Sequence, residues 1–139
     1  MQRGWAMNKS ELQALRERVP FFRFLDFSVT ELTAGSIATS MPFAERHIGN
    51  PVLNNYHGGI VASFMEATAS LSVSDDWETN RPKPINLTVD YLRPARPGQL
   101  NARAALSRKG RRMASIETIA WQGDEAKPVA KGLFHFLLV

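Results

Sequence analysis

The chain has 139 residues, no cysteine, and 17 Lys and Arg against 13 Asp and Glu, which gives a formal net charge of +4. This length predicts one ordinary domain and excludes a TIM barrel or a two-domain Rossmann enzyme. The lack of cysteine excludes disulfides, thiolate catalysis and cysteine-ligated zinc. Because 12 of the 17 basic residues are arginine, the charge suits nucleic acid, an anionic membrane or a phosphorylated small molecule. A solubilising surface is the alternative.

The chain shows no membrane or targeting segment. The most apolar stretch, residues 60–73, has 14 residues and contains Glu66, whereas a membrane helix needs about 20 apolar residues. The N-terminal residues carry charges and no apolar run. We therefore expect a cytoplasmic protein without a membrane partner.

The first third of the chain predicts a short helix and a hairpin. Ser10 is a suitable N-cap, apolar residues follow at helical spacing, and Pro20 ends the helix. Residues 1–24 are therefore an N-terminal extension with a short helix. Residues 27–33 and 36–42 predict two strands around a tight turn. Four aromatic residues around the start of the first strand are expected to fill the core or to cap a substrate pocket: Phe21, Phe22, Phe24 and Phe27.

A polar loop over residues 43–56 leads to the apolar segment 60–73. This segment contains nine apolar residues, which are distributed over every face of a helix. This composition predicts a helix that is buried all round. After Pro84 the residues alternate with period two and predict a four-stranded meander. We therefore predict one α+β domain, 1–139, in which five or six antiparallel strands wrap the long helix in a hotdog fold. The open edge and apolar flank of such a sheet predict a homodimer or homotetramer.

Glu66 is the only charged residue between His57 and Asp75. Burying an ionised carboxylate without a partner is costly. Glu66 is therefore a structural salt-bridge residue, a carboxylate at a pocket rim, or a catalytic base whose pKa is raised by burial.

The triplet His57-Gly58-Gly59 stands at the start of the same helix. The first N–H groups of a helix lack internal acceptors, and glycine lets a ligand approach the backbone closely. The glycines either make a sharp turn or form an oxyanion site. Because Gly58 and Glu66 are separated by ~12 Å along one helix, one carbonyl cannot easily meet both. A symmetric dimer, with Gly58 of one subunit facing Glu66 of the other, predicts two composite sites.

Seven basic residues and no acid lie between Arg93 and Arg112. This block suits the phosphates of a cofactor tail, or it is a solvated edge that prevents strand aggregation. Aromatic residues are not interleaved with it, so we expect no nucleic-acid partner. The three histidines lack metal-ligand spacing, so we expect no metal.

The sequence Asn50-Pro51, followed by His57-Gly58-Gly59 and an acid nine residues after the histidine, resembles the hotdog thioesterases of the PaaI-like, phenylacetate-pathway type. Residues 86–95, which read Asn-Leu-Thr-Val-Asp-Tyr-Leu-Arg-Pro-Ala, resemble the strand that follows the helix in that family. The likeness covers roughly residues 25–138. The family more often has Asp where this chain has Glu66.

This resemblance implies hydrolysis of an acyl-CoA thioester to free acid and CoA, without a further cofactor. It places Gly58 at the oxyanion N–H and Glu66 at the catalytic carboxylate, which acts as base or nucleophile. It places His57 at a supporting polar position and Asn50 or Asn55 at a loop amide. The residues expected to bind substrate are Gly59, Asn55, Arg93, Arg111 and Arg112.

Two other functions remain open at this point. A hotdog hydratase or dehydratase acting on acyl thioesters pairs a catalytic histidine with an acid, and His47 is the candidate histidine here. A protein that binds acyl-CoA without turnover is the second alternative.

Overall fold

The computed structural model describes residues 7–73 and 82–138. Within these residues the elements follow in this order: α1 (Lys9–Arg18), α2 (Pro20–Leu25), β1 (Ser28–Thr33), β2 (Ser36–Met41), a 3₁₀ turn (Glu45–His47), β3 (Ile48–Asn50), β4 (Asn55–Tyr56), α3 (Gly58–Ser72), β5 (Lys83–Tyr91), β6 (Leu100–Lys109), β7 (Met113–Trp121) and β8 (Ala130–Leu137).

Helix α1 begins two residues earlier than the sequence predicts. Asn8, not Ser10, is the N-cap: its Oδ1 accepts from the Glu11 N–H at 2.8 Å, and Glu11 Oε1 accepts from the Asn8 N–H at 3.3 Å. This reciprocal capping box satisfies two helix-end donors at once, which Ser10 alone does not.

Helix α2 was not predicted, because Pro20 was interpreted only as a stop signal. Proline is also well suited to the first position of a helix, and Pro20 occupies that position in α2. The short helix divides the aromatic cluster. Phe22 and Phe27 are buried, whereas Phe21 and Phe24 are exposed. The predicted core plug is therefore wrong for half of its members.

Six strands form one antiparallel sheet in the order β1-β2-β6-β7-β8-β5. Helix α3 lies on one face of this sheet, where Phe64, Met65 and Leu71 are fully buried among the inward residues of the strands. The predicted α+β hotdog class with five or six strands is confirmed.

The predicted four-stranded meander is wrong for one strand. β6, β7 and β8 are consecutive neighbours, but β5 pairs with β8 at the far edge of the sheet. The connection from β5 to β6 contains Pro94, Pro97 and Gly98, the last at φ +140°. It is too long for a tight hairpin, so the chain passes to the other side of the meander instead.

Helix α3 is not buried on every face of a single protomer. One stripe along the helix is only partly covered, and its members stand three and four residues apart. This open stripe consists of Gly59, Ala62, Ser63 and Glu66. The sheet covers the remaining faces, so the prediction of burial all round is wrong for the isolated chain.

Candidate active site

The first turn of α3 presents one open backbone donor. His57 is the N-cap, and its Nδ1 accepts from the Gly59 N–H at 2.8 Å. The N–H of Gly58 has no acceptor within the helix, as is general for a first helical position, and no described residue supplies one. Glycine at this position leaves the N–H open to an approaching oxygen.

Tyr91, which the sequence analysis did not single out, contacts this turn directly. Its hydroxyl donates to the Gly58 carbonyl at 2.8 Å. Tyr91 ends β5 on the same face of the sheet as its buried neighbour Ala130. Tyr91 stands two residues before Arg93 in the segment that resembles the thioesterase strand. That position could have indicated a site residue, but an aromatic residue in a strand is ordinary.

The first turn of α3 opens into a cavity of about 380 Å³, called here the Gly58 pocket. Its polar wall includes Asn55, Tyr91 and Arg93. The candidate Asn50 does not line this pocket, and its Oδ1 accepts from the backbone N–H groups of the next turn at 2.9 and 3.3 Å. Of the two loop amides, Asn55 is the one that lines the pocket.

Glu66 lies in a second cavity of about 200 Å³, called here the Glu66 pocket. Besides Glu66, its lining residues are Val19, Phe21, Phe22, Ser63, Ala67, Ser70, Pro82, Pro84 and Phe136. Burial raises the pKa of the Glu66 carboxyl. Within residues 7–73 and 82–138, no ion pair or hydrogen bond to this carboxylate is formed. The structure therefore gives no support to a salt-bridge role from those residues.

The two pockets lie toward opposite ends of the sheet and share no lining residue. Tyr91, in the Gly58 pocket, pairs with Ala130 at one end of β5. Pro84, in the Glu66 pocket, pairs with Phe136 at the other end. The strand between Pro84 and Tyr91 spans about 23 Å at 3.3 Å per residue.

The basic block is divided between these two ends. Arg93 lines the Gly58 pocket and donates to the Pro128 carbonyl at 2.6 Å. Arg111 and Arg112 lie in the β6–β7 turn, at the end of the sheet that carries the Glu66 pocket. Arg103 between them forms ion pairs with two carboxylates, at 2.8 and 3.4 Å. One protomer therefore does not bring the block together as a single docking surface.

His47, the candidate for a hydratase, is fully buried. Its ring stacks on Tyr56 with 5.5 Å between centroids, and its Nδ1 accepts from the Ala44 N–H at 3.2 Å. Burial and the neighbouring Arg46 lower its pKa, which favours the neutral ring. A substrate cannot reach this imidazole, so the observed site lacks the histidine that the hydratase alternative requires.

The described residues also bear on a metal ion and a membrane as partners. Among them, no three His, Cys, Asp or Glu side chains are placed to hold a metal ion. No helix within the same ranges has both the length and the apolar character needed to cross a membrane.

Known proteins resemble this chain in sequence and in fold. The family model described as the acyl-CoA thioesterase N-terminal domain matches residues 50–137. A provisionally named esterase of Halobacterium salinarum is 35% identical over 95 residues, which are 63% of this chain and 60% of that protein. The medium/long-chain acyl-CoA thioesterase YigI of Escherichia coli is 32% identical over 105 residues, 66% of this chain and 67% of that protein.

A solved thioesterase structure from Haemophilus influenzae covers 100% of this chain and 95% of its own, with a TM-score of 0.84 and 21% identity. The fold thus places the protein in the structural class of hotdog-fold proteins. By its match over residues 50–137, the chain belongs to the acyl-CoA thioesterase N-terminal domain family. The resemblance inferred from the sequence is confirmed.

Proposed function

We propose that this protein hydrolyses an acyl-CoA thioester to a free acid and CoA. Glu66 supplies the catalytic carboxylate, and the Gly58 N–H donates to the thioester oxygen. His57 supports this donor by capping the same helix turn. The observation that carries the proposal is the Glu66 carboxylate: it is partly buried in a largely apolar pocket, and no described residue pairs with it.

In the water route, Glu66 takes a proton from a water molecule whose oxygen attacks the thioester carbonyl carbon. The Gly58 N–H stabilises the oxyanion that forms. The C–S bond then breaks, and the proton passes from Glu66 to the CoA sulfur. In the nucleophile route, a Glu66 oxygen attacks the carbonyl, CoA thiolate leaves, and water hydrolyses the resulting anhydride. A carboxyl pKa raised by burial favours proton transfer near neutral pH, and so the water route.

The active unit is proposed to be a homodimer, alone or within a homotetramer. The open stripe of α3 and the unpaired edge of β5 are surfaces that a second copy can cover. Ala62 lies midway between Gly58 and Glu66 on the helix. If two α3 helices cross antiparallel at Ala62, Gly58 of each copy faces Glu66 of the other. The ~12 Å separation along one helix is then no obstacle.

The same arrangement assembles the divided basic block. Arg93 lies at the Gly58 end of one copy, whereas Arg111 and Arg112 lie at the Glu66 end. An antiparallel pair brings these two ends together at each composite site. We propose that arginines from both copies contact the phosphates of CoA, and that Asn55 and Gly59 line the path of the substrate.

The first test measures thiol release from a panel of short, medium, long and aromatic acyl-CoAs. General-base catalysis contributes about 10²–10⁴-fold, so Glu66→Gln is expected to lower kcat by that factor while the protein stays folded. Unchanged turnover in the folded variant refutes the role of Glu66. Tight binding without turnover in the wild type supports a binding protein, and loss of enoyl absorbance without thiol release supports a hydratase.

The second test mixes two impaired variants, Gly58→Ala and Glu66→Gln. Random pairing makes half of the dimers mixed, and in a composite arrangement each mixed dimer has one intact site of two. The mixture is therefore expected to recover about 25% of wild-type activity. If both groups act within one protomer, mixing recovers nothing beyond the average of the two variants.

A further inference from the structure

Three residues that line the Glu66 pocket belong to the N-terminal segment that precedes the hotdog sheet. Val19 precedes α2, and Phe21 and Phe22 belong to it. The opposite walls are Pro84 of β5 and Phe136 of β8. Apolar side chains thus surround the candidate carboxylate, and the lining includes no basic residue.

The two phenylalanines contribute differently to this wall. Phe22 is 7% exposed, and its ring contacts Phe27 edge-on with 5.3 Å between centroids. Phe27 packs on Phe64 of α3 at 5.9 Å. Phe22 is therefore held in place as a wall of the pocket. Phe21 is 47% exposed, so its ring borders the opening of the pocket to solvent. It stacks on Phe24 at 5.6 Å.

Charge distinguishes this pocket from the Gly58 pocket, whereas both have largely apolar linings. The Gly58 pocket contains Arg93 and Asn55, which suit the polar and phosphorylated part of a CoA ester. The Glu66 pocket has no basic residue and offers hydrocarbon and aromatic surface beside two serines, which suits an acyl chain. Resting on the thioesterase function proposed above, this contrast in charge assigns the acyl group to the Glu66 pocket.

The cavity volume gives a scale for the acyl group that fits inside the pocket. An apolar cavity of about 150 Å³ holds a benzene molecule, which has six carbons. In the same proportion, a cavity of about 200 Å³ holds roughly eight carbons. We propose that Phe21 is a specificity-determining residue: it closes the solvent side of the acyl pocket, and chains longer than roughly eight carbons must displace its ring.

The test compares kcat/KM for saturated acyl-CoAs from four to sixteen carbons. The wild type is expected to prefer chains near eight carbons. Phe21→Ala opens the pocket, and the ratio of twelve-carbon to eight-carbon kcat/KM is expected to rise at least tenfold, since even one extra or missing methylene in a hydrophobic pocket is worth about 10–200-fold. Phe21→Trp narrows the opening and is expected to shift the preference toward shorter chains.

Arg23→Ala is the matched control. Arg23 belongs to the same short helix and is exposed, but it does not line the pocket, and its guanidinium donates to the Glu17 carbonyl. Its removal is expected to change the chain-length ratio less than threefold. Equal shifts for Arg23→Ala and Phe21→Ala would overturn the assignment, as would an unchanged ratio in a folded, active Phe21→Ala variant.

A binding experiment separates this proposal from the thioesterase function. Calorimetry measures the affinity of octanoate and dodecanoate for the wild type and for Phe21→Ala. If no acyl-CoA is hydrolysed but dodecanoate gains affinity at least tenfold in Phe21→Ala, the proposed reaction fails and the acyl pocket stands. If turnover is found and neither chain-length ratio responds to Phe21, the reaction stands and the acyl-pocket proposal fails.

Discussion

Replacing Gly58 by alanine tests the oxyanion donor with little effect on the fold. The Gly58 backbone lies outside the left-handed region, so alanine is sterically allowed there. The added Cβ would lie 3.1 Å from Tyr91 Cζ and 3.2 Å from its Oη, so the ring must move by a few tenths of an ångström. Because this ring is 56% exposed, it can move at small cost. Alanine also favours the helical state by up to about 1 kcal/mol.

The stability of Gly58→Ala is therefore expected to stay within about 1 kcal/mol of wild type. Its activity is expected to fall more strongly. Loss of one oxyanion donor costs about 10²–10³-fold in kcat, and a methyl group that obstructs the N–H without removing it is expected to cost about 10–100-fold. Thiol-release kinetics and a urea midpoint, measured on the same preparation at one protein concentration, give both numbers.

The single variant Tyr91→Ala identifies the cause of the loss. It removes the ring that the new methyl displaces but leaves the Gly58 N–H unobstructed, so its kcat is expected to stay well above that of Gly58→Ala. An equally low kcat in Tyr91→Ala would assign the effect to displacement of Tyr91. A kcat within threefold of wild type in the folded Gly58→Ala variant would refute the oxyanion role of Gly58.

Three further predictions follow from the packing and charge of described residues. Gly132→Ala puts a Cβ 2.9 Å from a backbone carbonyl of β5 and is expected to lower the unfolding free energy by about 1–3 kcal/mol. In the control variant Gly110→Ala the new Cβ approaches nothing nearer than 3.6 Å, so the unfolding free energy is expected to stay unchanged. Equal urea midpoints for the two variants would contradict the β5–β8 register. Ala62→Leu should separate the two α3 helices, so sedimentation should detect monomer and kcat should fall; an active dimer would exclude a crossing at Ala62. Burial raises the pKa of Glu66 above its ordinary 4.5, and only the ionised carboxylate accepts a proton, so kcat/KM should fall with decreasing pH at a midpoint above 4.5. A profile flat down to pH 4.5 would contradict this base.

The fold was largely predictable because its main signals are local. The apolar run 60–73 and the period-two alternation after Pro84 determine one long helix and several strands without reference to distant residues. The position of β5 beside β8 was not predictable in this way, since the partner of a strand depends on contacts far apart in the chain. The helix start at Asn8 depends on a pair of side chains, which a single favourable cap residue such as Ser10 conceals.

The sequence also indicated some residues of the candidate site and missed others. Glu66 and Gly58 stood out because a charge in an apolar helix and paired glycines at its start conflict with ordinary core patterns. Tyr91 did not stand out, and Phe21 stood out only as one member of an aromatic cluster, because aromatic residues in strands and core clusters are common. Only the packing shows that Tyr91 contacts the helix start and that Phe21 lines the Glu66 pocket.

Three features of the protomer are difficult to explain in a monomer: the open stripe of α3, the unpaired nine-residue edge of β5, and arginines divided between the two ends of the sheet. An exposed strand edge invites association, and a partly buried carboxylate in an apolar pocket has a desolvation cost that the described residues do not offset. The proposed two-fold contact across α3 accounts for the first and the third, because it covers the stripe and brings Gly58 and Arg93 of one copy to Glu66 of the other. It leaves the β5 edge to a further copy of the chain. The isolated chain then holds two half-sites, and dilution below the dimer dissociation constant must abolish turnover even though each protomer keeps its sheet and its helix.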